Sequence, residues 1–172
     1  TATATATETP TPTATETPLP TSTSTKLPPK PTKLPVTAAE GGCGGENYGM
    51  EGAVLSMING QRANAGAAAV QSNGTLASIA RGYSRSMAEN GFFGHGDVMS
   101  RVNASGSFTA VGEILFAGPG PYNSASEAIN GWMNSPVHRD TMLNSMYTMA
   151  GVGYWCDPGS QYEAYFTVDF AR

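Results

Sequence analysis

Apolar residues recur along this chain with two different periods, and the switch between them predicts the order of its elements. In GMEGAVLSMINGQRA, Val54, Leu55 and Ile58 fall on one stripe at helical spacing. In NGTLASIARGYSRSMAENG, Leu76, Ile79, Ala80, Tyr83 and Met87 share a face, with Asn73 placed to cap the start and Gly91 to stop the end. These two segments predict amphipathic helices. A loop carrying FFGHGD follows, and FTAVGEILF is rich enough in β-branched and aromatic residues to predict a strand.

Further along, Ser124 stands three positions ahead of Glu127, the spacing of a capping box, ahead of a helix carrying Ile129, Trp132 and Met133. Ser135-Pro136 reads as a second helix start, serine capping and proline in the first turn, with the helix running to about Leu143. The chain closes on two alternating runs, MAGVGYWC and YEAYFTVDF, joined by the turn sequence Asp157-Pro-Gly-Ser160. Helices followed by an antiparallel hairpin predict an α+β layered domain rather than a doubly wound sheet.

Composition sets the first 40 residues apart. They hold eight prolines and no aromatic residue, and every odd position from Thr1 to Thr17 is threonine. Such a segment has too little apolar surface to offset ordering, and its Thr/Ser/Pro content matches O-glycosylated stalks. The expected glycan carriers are Thr1, Thr3, Thr5, Thr7, Thr9, Thr11, Thr13, Thr15, Thr17, Thr21, Thr23 and Thr25. The Gly-rich stretch GGCGG reads as a junction, so residues 1–40 form a stalk or assembly segment and residues 43–172 the folded domain.

Charge and cysteines narrow the setting. The net charge is −4, and no lysine lies beyond residue 40, which argues against a nucleic-acid partner. No apolar run approaches the roughly 18–20 residues that span a bilayer. The chain begins at threonine, as expected of a product whose export signal has been removed. Cys43 and Cys156 are too far apart for a zinc pair of the C-x-x-C type. In an exported protein they are expected to form a disulfide, the alternative being two independent buried thiols.

Taken in order, MINGQRANAG, LASIARGYSRSMAENGFFGH, VGEIL, NGWMNSPVHRDTML and AGVGYW resemble the bacterial branch of the CAP superfamily. These are SCP-like extracellular proteins related to cysteine-rich secretory proteins, pathogenesis-related proteins and venom antigens. The resemblance covers residues 49–171 and implies an α-β-α sandwich with a central cleft of two histidines and acidic residues. On the matching motifs, those residues are His95, Glu113 and His138. Two positions depart from the family pattern, Ile114 after the acid and Val137 before the second histidine. Where eukaryotic relatives often place a second acid, this chain has Ser135, which leaves the fourth cleft residue unassigned.

Two imidazoles and a carboxylate are a plausible ligand set for zinc or another divalent cation with an open position for water, so His95, Glu113 and His138 are the metal candidates. They are also the catalytic candidates, joined by Ser135, whose hydroxyl a nearby histidine could activate although its helix-start position explains it as a cap. Asp97, Glu127 and Asp140 read as caps or solvated acids, and the aromatic run on the closing hairpin as core. GPGPY at 118–122 reads as a cleft-side loop, and Asn73 and Asn103 begin N-glycosylation patterns.

The resulting expectation is a secreted or cell-surface CAP-like domain on a glycosylated stalk, binding a ligand or divalent metal in a His/Glu cleft. Candidate partners are O-linked glycans and a lipid or cell-wall ligand. Two alternatives stand beside it. One is a structural subunit that self-assembles into an extracellular fibre or coat through its N-terminal segment, and the other is a metal-dependent hydrolase using His95, Glu113 and His138.

Overall fold

The computed structural model describes residues 43–172 apart from position 107. The expected stalk, the threonines expected to carry glycans and the assembly role considered for residues 1–40 lie outside the described residues. Within them the order is α1 (Tyr48–Asn64), β1 (Gln71–Ser72), α2 (Gly74–Asn90), α3 (Val98–Asn103), β2 (Val111–Gly118), α4 (Ala125–Asn134), α5 (Pro136–Leu143), β3 (Met149–Cys156) and β4 (Ala164–Ala171). The sheet runs β1-β3-β4-β2, antiparallel except where β1 joins β3.

Alternation along the strands sorts their side chains into two layers. Ile114 and Phe116 of β2, Val152 and Tyr154 of β3, and Phe166, Val168 and Phe170 of β4 meet Val54, Ile58, Ile129, Trp132 and Met142 of α1, α4 and α5 in one apolar cluster. Phe166 packs edge-on against Phe116 and Tyr154, and the Trp132 indole N–H donates to the Leu115 carbonyl at 2.8 Å. The opposite face carries the buried polar residues Glu113, Thr167 and Asp169 beside Leu115 and Tyr165, and receives α2. The expected α+β domain is thus an α-β-α sandwich, with β4 buried along its whole length.

α2 can lie close because β3 offers glycine beneath it. A Cβ at Gly151 would fall 2.1 Å from the Ala77 nitrogen, and one at Gly153 would fall 2.0 Å from the Arg81 nitrogen. The ends of α2 are fixed as the sequence predicts. The Asn73 side chain accepts the Leu76 N–H at 3.0 Å, and Gly91 turns left-handed at φ 65°. Asn73→Ala is expected to lower unfolding free energy by about 1 kcal/mol, the usual worth of such a cap, as read by urea denaturation. The amide nitrogen of Asn73, the atom that the N-glycosylation pattern would need, donates to Met149 Sδ at 3.4 Å.

Two charged side chains complete the frame. Arg62 is fully buried and donates to the carbonyls of Ala68, Met142, Asn144 and Tyr147, tying α1 to the segment that leaves α5. Glu51 accepts both Arg81 and the Tyr154 N–H, covering the edge of β3 beyond the short β1. Cys43 and Cys156 form the expected disulfide.

The structure departs from the sequence reading in places. β2 begins at Val111 rather than Phe108, β4 begins at Ala164, and Tyr162 belongs to the turn. Residues Gly120–Tyr122 of GPGPY form one 3-10 turn, whose Gly120 N–H is held by the Glu163 carboxylate at 2.9 Å. Pro136 occupies the first turn of α5 as expected, but the Ser135 side chain makes no capping hydrogen bond. Directly after FFGHGD, where the sequence shows only loop before the next strand, the chain forms α3. Asp97 caps it by accepting the Ser100 N–H at 2.9 Å, and its six residues are too few for a periodic signal.

Candidate functional site

The cleft lies along β2, the edge strand against which α3 and α5 both pack. Its first histidine is carried by the turn leaving α2. The Tyr83 hydroxyl donates to the Gly94 carbonyl at 2.6 Å, which holds this turn against the helix. Gly96 adopts φ 57°, and a Cβ there would sit 2.8 Å from the Tyr83 hydroxyl, so both backbone conformation and space call for glycine.

Arg101 of α3 fixes the other side of the turn. Its guanidinium stacks over the Tyr83 ring at 3.5 Å, donates from Nη1 to the His95 carbonyl at 3.1 Å, and donates from Nη2 to Glu113 Oε2. His95 itself is half exposed, whereas the Glu113 side chain is 1% exposed. They meet through His95 Nδ1 and Glu113 Oε1 at 2.8 Å. With Glu113 ionised its carboxylate only accepts, so Nδ1 carries the hydrogen and Nε2 is left as an acceptor.

Burial, and then the positive charge of Arg101, hold His95 below its ordinary value. The ring is therefore neutral at pH 7, and its contact with Glu113 is a hydrogen bond rather than an ion pair. His138 arrives from α5 on the opposite layer. Burial lowers it first, and repulsion from His95 when that ring is protonated lowers it further, which makes the two rings electrostatic neighbours. The three residues implied by the resemblance are thus brought to one cleft.

As a three-ligand metal set the trio does not fit this arrangement. Glu113 spends one oxygen on His95 and the other on Arg101. Among the described residues no group of three or more His, Cys, Asp or Glu is arranged to hold an ion. The chemistry that remains for Glu113 is to orient a histidine from behind.

Ser135 makes no hydrogen bond to His138 among the described residues, and its nucleophilic reading gains no support. Glu127 gives its N–H to the Ser124 hydroxyl at 3.2 Å, and Asp140 is exposed beside Arg139 at 3.9 Å. An open groove of about 400 Å³, lined by Ser78, Gly82, Ser86, Tyr83 and Arg101, runs along the outer side of α2. It lies beside the cleft and contains neither histidine.

Sequence reasoning misses three residues of this site: Tyr83, Arg101 and Asp169. Asp169 is fully buried and pairs across the sheet with Glu113 on β2 and with Gly151 on β3. Burial is the largest cause that raises both carboxyl groups above their ordinary values, and Arg101 opposes it at each. One signal was available. In YFTVDF the residues Phe166, Val168 and Phe170 take one face, so Asp169 must share the α2 face with Thr167.

Relatives of known sequence and structure agree with this architecture. A 1.5 Å crystal structure of an extracellular protein containing a SCP domain, from Bacillus anthracis, superposes with a TM-score of 0.62 at 25% identity, over 72% of this chain and 40% of that one. An outer surface protein from Borrelia burgdorferi gives a TM-score of 0.67 at 21% identity, over 76% of this chain and 98% of that one, a likeness of fold. The uncharacterized membrane protein YlbC of Bacillus subtilis is 33% identical over 106 residues, which are 58% of this chain and 30% of YlbC. This chain therefore spans well under half the length of that relative. Among the described residues no helix is long and apolar enough to cross a membrane. With the sandwich, the His/Glu cleft and a match of residues 55–170 to the profile of the cysteine-rich secretory protein family, the chain belongs to the CAP family.

Proposed function

We propose that the domain works outside the cell as a binding module whose cleft takes an amphipathic ligand, a hydroxyl or amine head held between His95 and His138. The observation that carries this reading is the 2.8 Å contact of His95 Nδ1 with a buried carboxylate, which turns Nε2 outward as an acceptor. A second neutral imidazole beside it favours a donor-bearing head. Phe93 and Val137, 45% and 75% exposed, flank the two histidines in sequence and offer apolar contact for the body of the ligand. The disulfide and the extracellular and outer-surface relatives support the location. A surface lipid fits this chemistry.

The test is equilibrium binding of a long-chain fatty alcohol delivered from cyclodextrin, with the alkane of equal length as control. The alcohol is expected to bind more tightly than the alkane. His138→Ala is expected to weaken the alcohol by about tenfold or more, the worth of one good polar contact at about 1.4 kcal/mol, and to leave the alkane unchanged. Equal affinities for alcohol and alkane contradict the reading. Heat from Zn²⁺ titration that depends on both histidines would instead turn it toward a metal held by imidazoles.

Binding should also weaken in acid. Neutral rings accept, protonated rings only donate, and both histidines sit below their ordinary value of 6.5. Affinity is expected to hold at pH 7 and fall with a midpoint below 6.5 as the rings gain protons. A midpoint above that value, in the same binding assay, contradicts the assignment.

A further inference from the structure

Among the described residues, the buried side-chain polar atoms with no hydrogen-bonding partner are three: Arg101 Nε and the two carboxylate oxygens of Asp169. All belong to the wall behind His95. Unpartnered polar atoms are costly when buried, and their concentration in one place calls for a cause. Asp169 has no exposure, and the group it faces across the sheet is itself an acceptor, the Glu113 carboxyl.

For Asp169, a charge count supplies the cause. From α3 this wall receives one cation, Arg101; from β2 it receives Glu113; from β3 it receives only Gly151; and from α2 it receives the Tyr83 hydroxyl. His95 touches Glu113 from outside and is neutral at pH 7. One guanidinium balances one carboxylate. A second ionised carboxylate in the same dry wall would be uncompensated, which is far more costly than binding a proton.

We propose that Glu113 and Asp169 share a single proton, donated by Asp169 to the Glu113 carboxylate, and that Asp169 is thereby the fourth member of the cleft. It is a positioning residue. With that bond, Glu113 accepts from Asp169, Arg101 and His95 together and stays ionised, which keeps the hydrogen of His95 on Nδ1. The register sets Glu113 and Asp169 directly opposite each other on neighbouring antiparallel strands, on one face of the sheet, and a hydrogen bond between two carboxyl groups requires one of them to be protonated. Its consequence for ligand binding rests on the reading of the cleft above, but the shared proton does not.

The experiment uses ligand-free protein, so it stands or falls separately from the binding assay. Infrared difference spectra at pH 7 are expected to contain the carbonyl band of one protonated carboxyl, present in wild type and absent in Asp169→Asn. The asparagine amide still donates to Glu113, so this variant is expected to fold. Absence of the band in wild type, or its persistence in the variant, overturns the proposal.

A pH profile gives a second reading that a merely structural role would not move. An acid raised in the folded state binds its proton more tightly there than in the unfolded chain. Its stabilisation is therefore present at low pH and lost as pH rises through the folded value. Between about pH 5 and about pH 9 the melting temperature of Asp169→Asn is expected to rise relative to wild type as pH increases. A constant difference across that range contradicts a shared proton.

Discussion

Gly153→Ala is expected to remove about 4 kcal/mol or more of the domain's stability. The added methyl would lie 2.0 Å from the Arg81 nitrogen, 2.1 Å from the Ala80 carbonyl carbon and 2.5 Å from its oxygen. All three are helix backbone, which cannot rotate aside as a side chain can. α2 must lift from the sheet, and with it go Leu76, Ala80, Ser84 and Met87, each fully buried. Overpacking against movable side chains costs about 1–3 kcal/mol, so a forced helix displacement should cost about 4 kcal/mol or more. That is a large share of the roughly 5–15 kcal/mol that holds a typical domain.

Urea denaturation followed by circular dichroism measures the effect, and Gly82→Ala is its control. A Cβ at Gly82, on the outer side of the same helix, meets nothing within 4 Å. Alanine there should be neutral or stabilise by up to about 1 kcal/mol through helix propensity. If Gly153→Ala instead costs under about 1 kcal/mol, α2 does not rest on β3 at this height.

Reduction of the Cys43–Cys156 disulfide is the second large effect. The bridge fastens the residues before α1 to the end of β3 across a sequence separation of 113. Gly45 and Cys156 exchange two backbone hydrogen bonds beside it, at 2.7 and 2.9 Å, so the bridge closes onto an already ordered pair. In the loop-entropy account a closure of this length stabilises by roughly 4–5 kcal/mol, acting through the unfolded chain. Denaturation with and without reductant should differ by about that amount, and a shift under about 1 kcal/mol would place the effect elsewhere.

What could be read from the sequence follows from where the physical signal is local. Caps, stops and periodicity belong to neighbouring residues, so α1, α2, α4, α5 and the closing hairpin were legible. So was the trio His95, Glu113 and His138, through motifs rather than physics. α3 was not legible, because six residues show no period. Arg101 and Asp169 were missed for a different reason. Each becomes meaningful only in the tertiary structure: Arg101 when α3 packs against β2, and Asp169 when the strand register sets it opposite Glu113. Ser135 shows the reverse error, a helix-start sequence whose hydroxyl the structure leaves unused as a cap.

The central claim is that His95 is a neutral acceptor backed by a buried carboxylate, with His138 as its partner. Nitrogen-15 NMR of the imidazole rings across pH tests it most directly, because the chain has only two histidines and His138→Ala assigns them. The account predicts that both rings titrate below 6.5 and that neutral His95 carries its hydrogen on Nδ1. Titration of either ring at or above that value, or a hydrogen on Nε2 of His95, would contradict it.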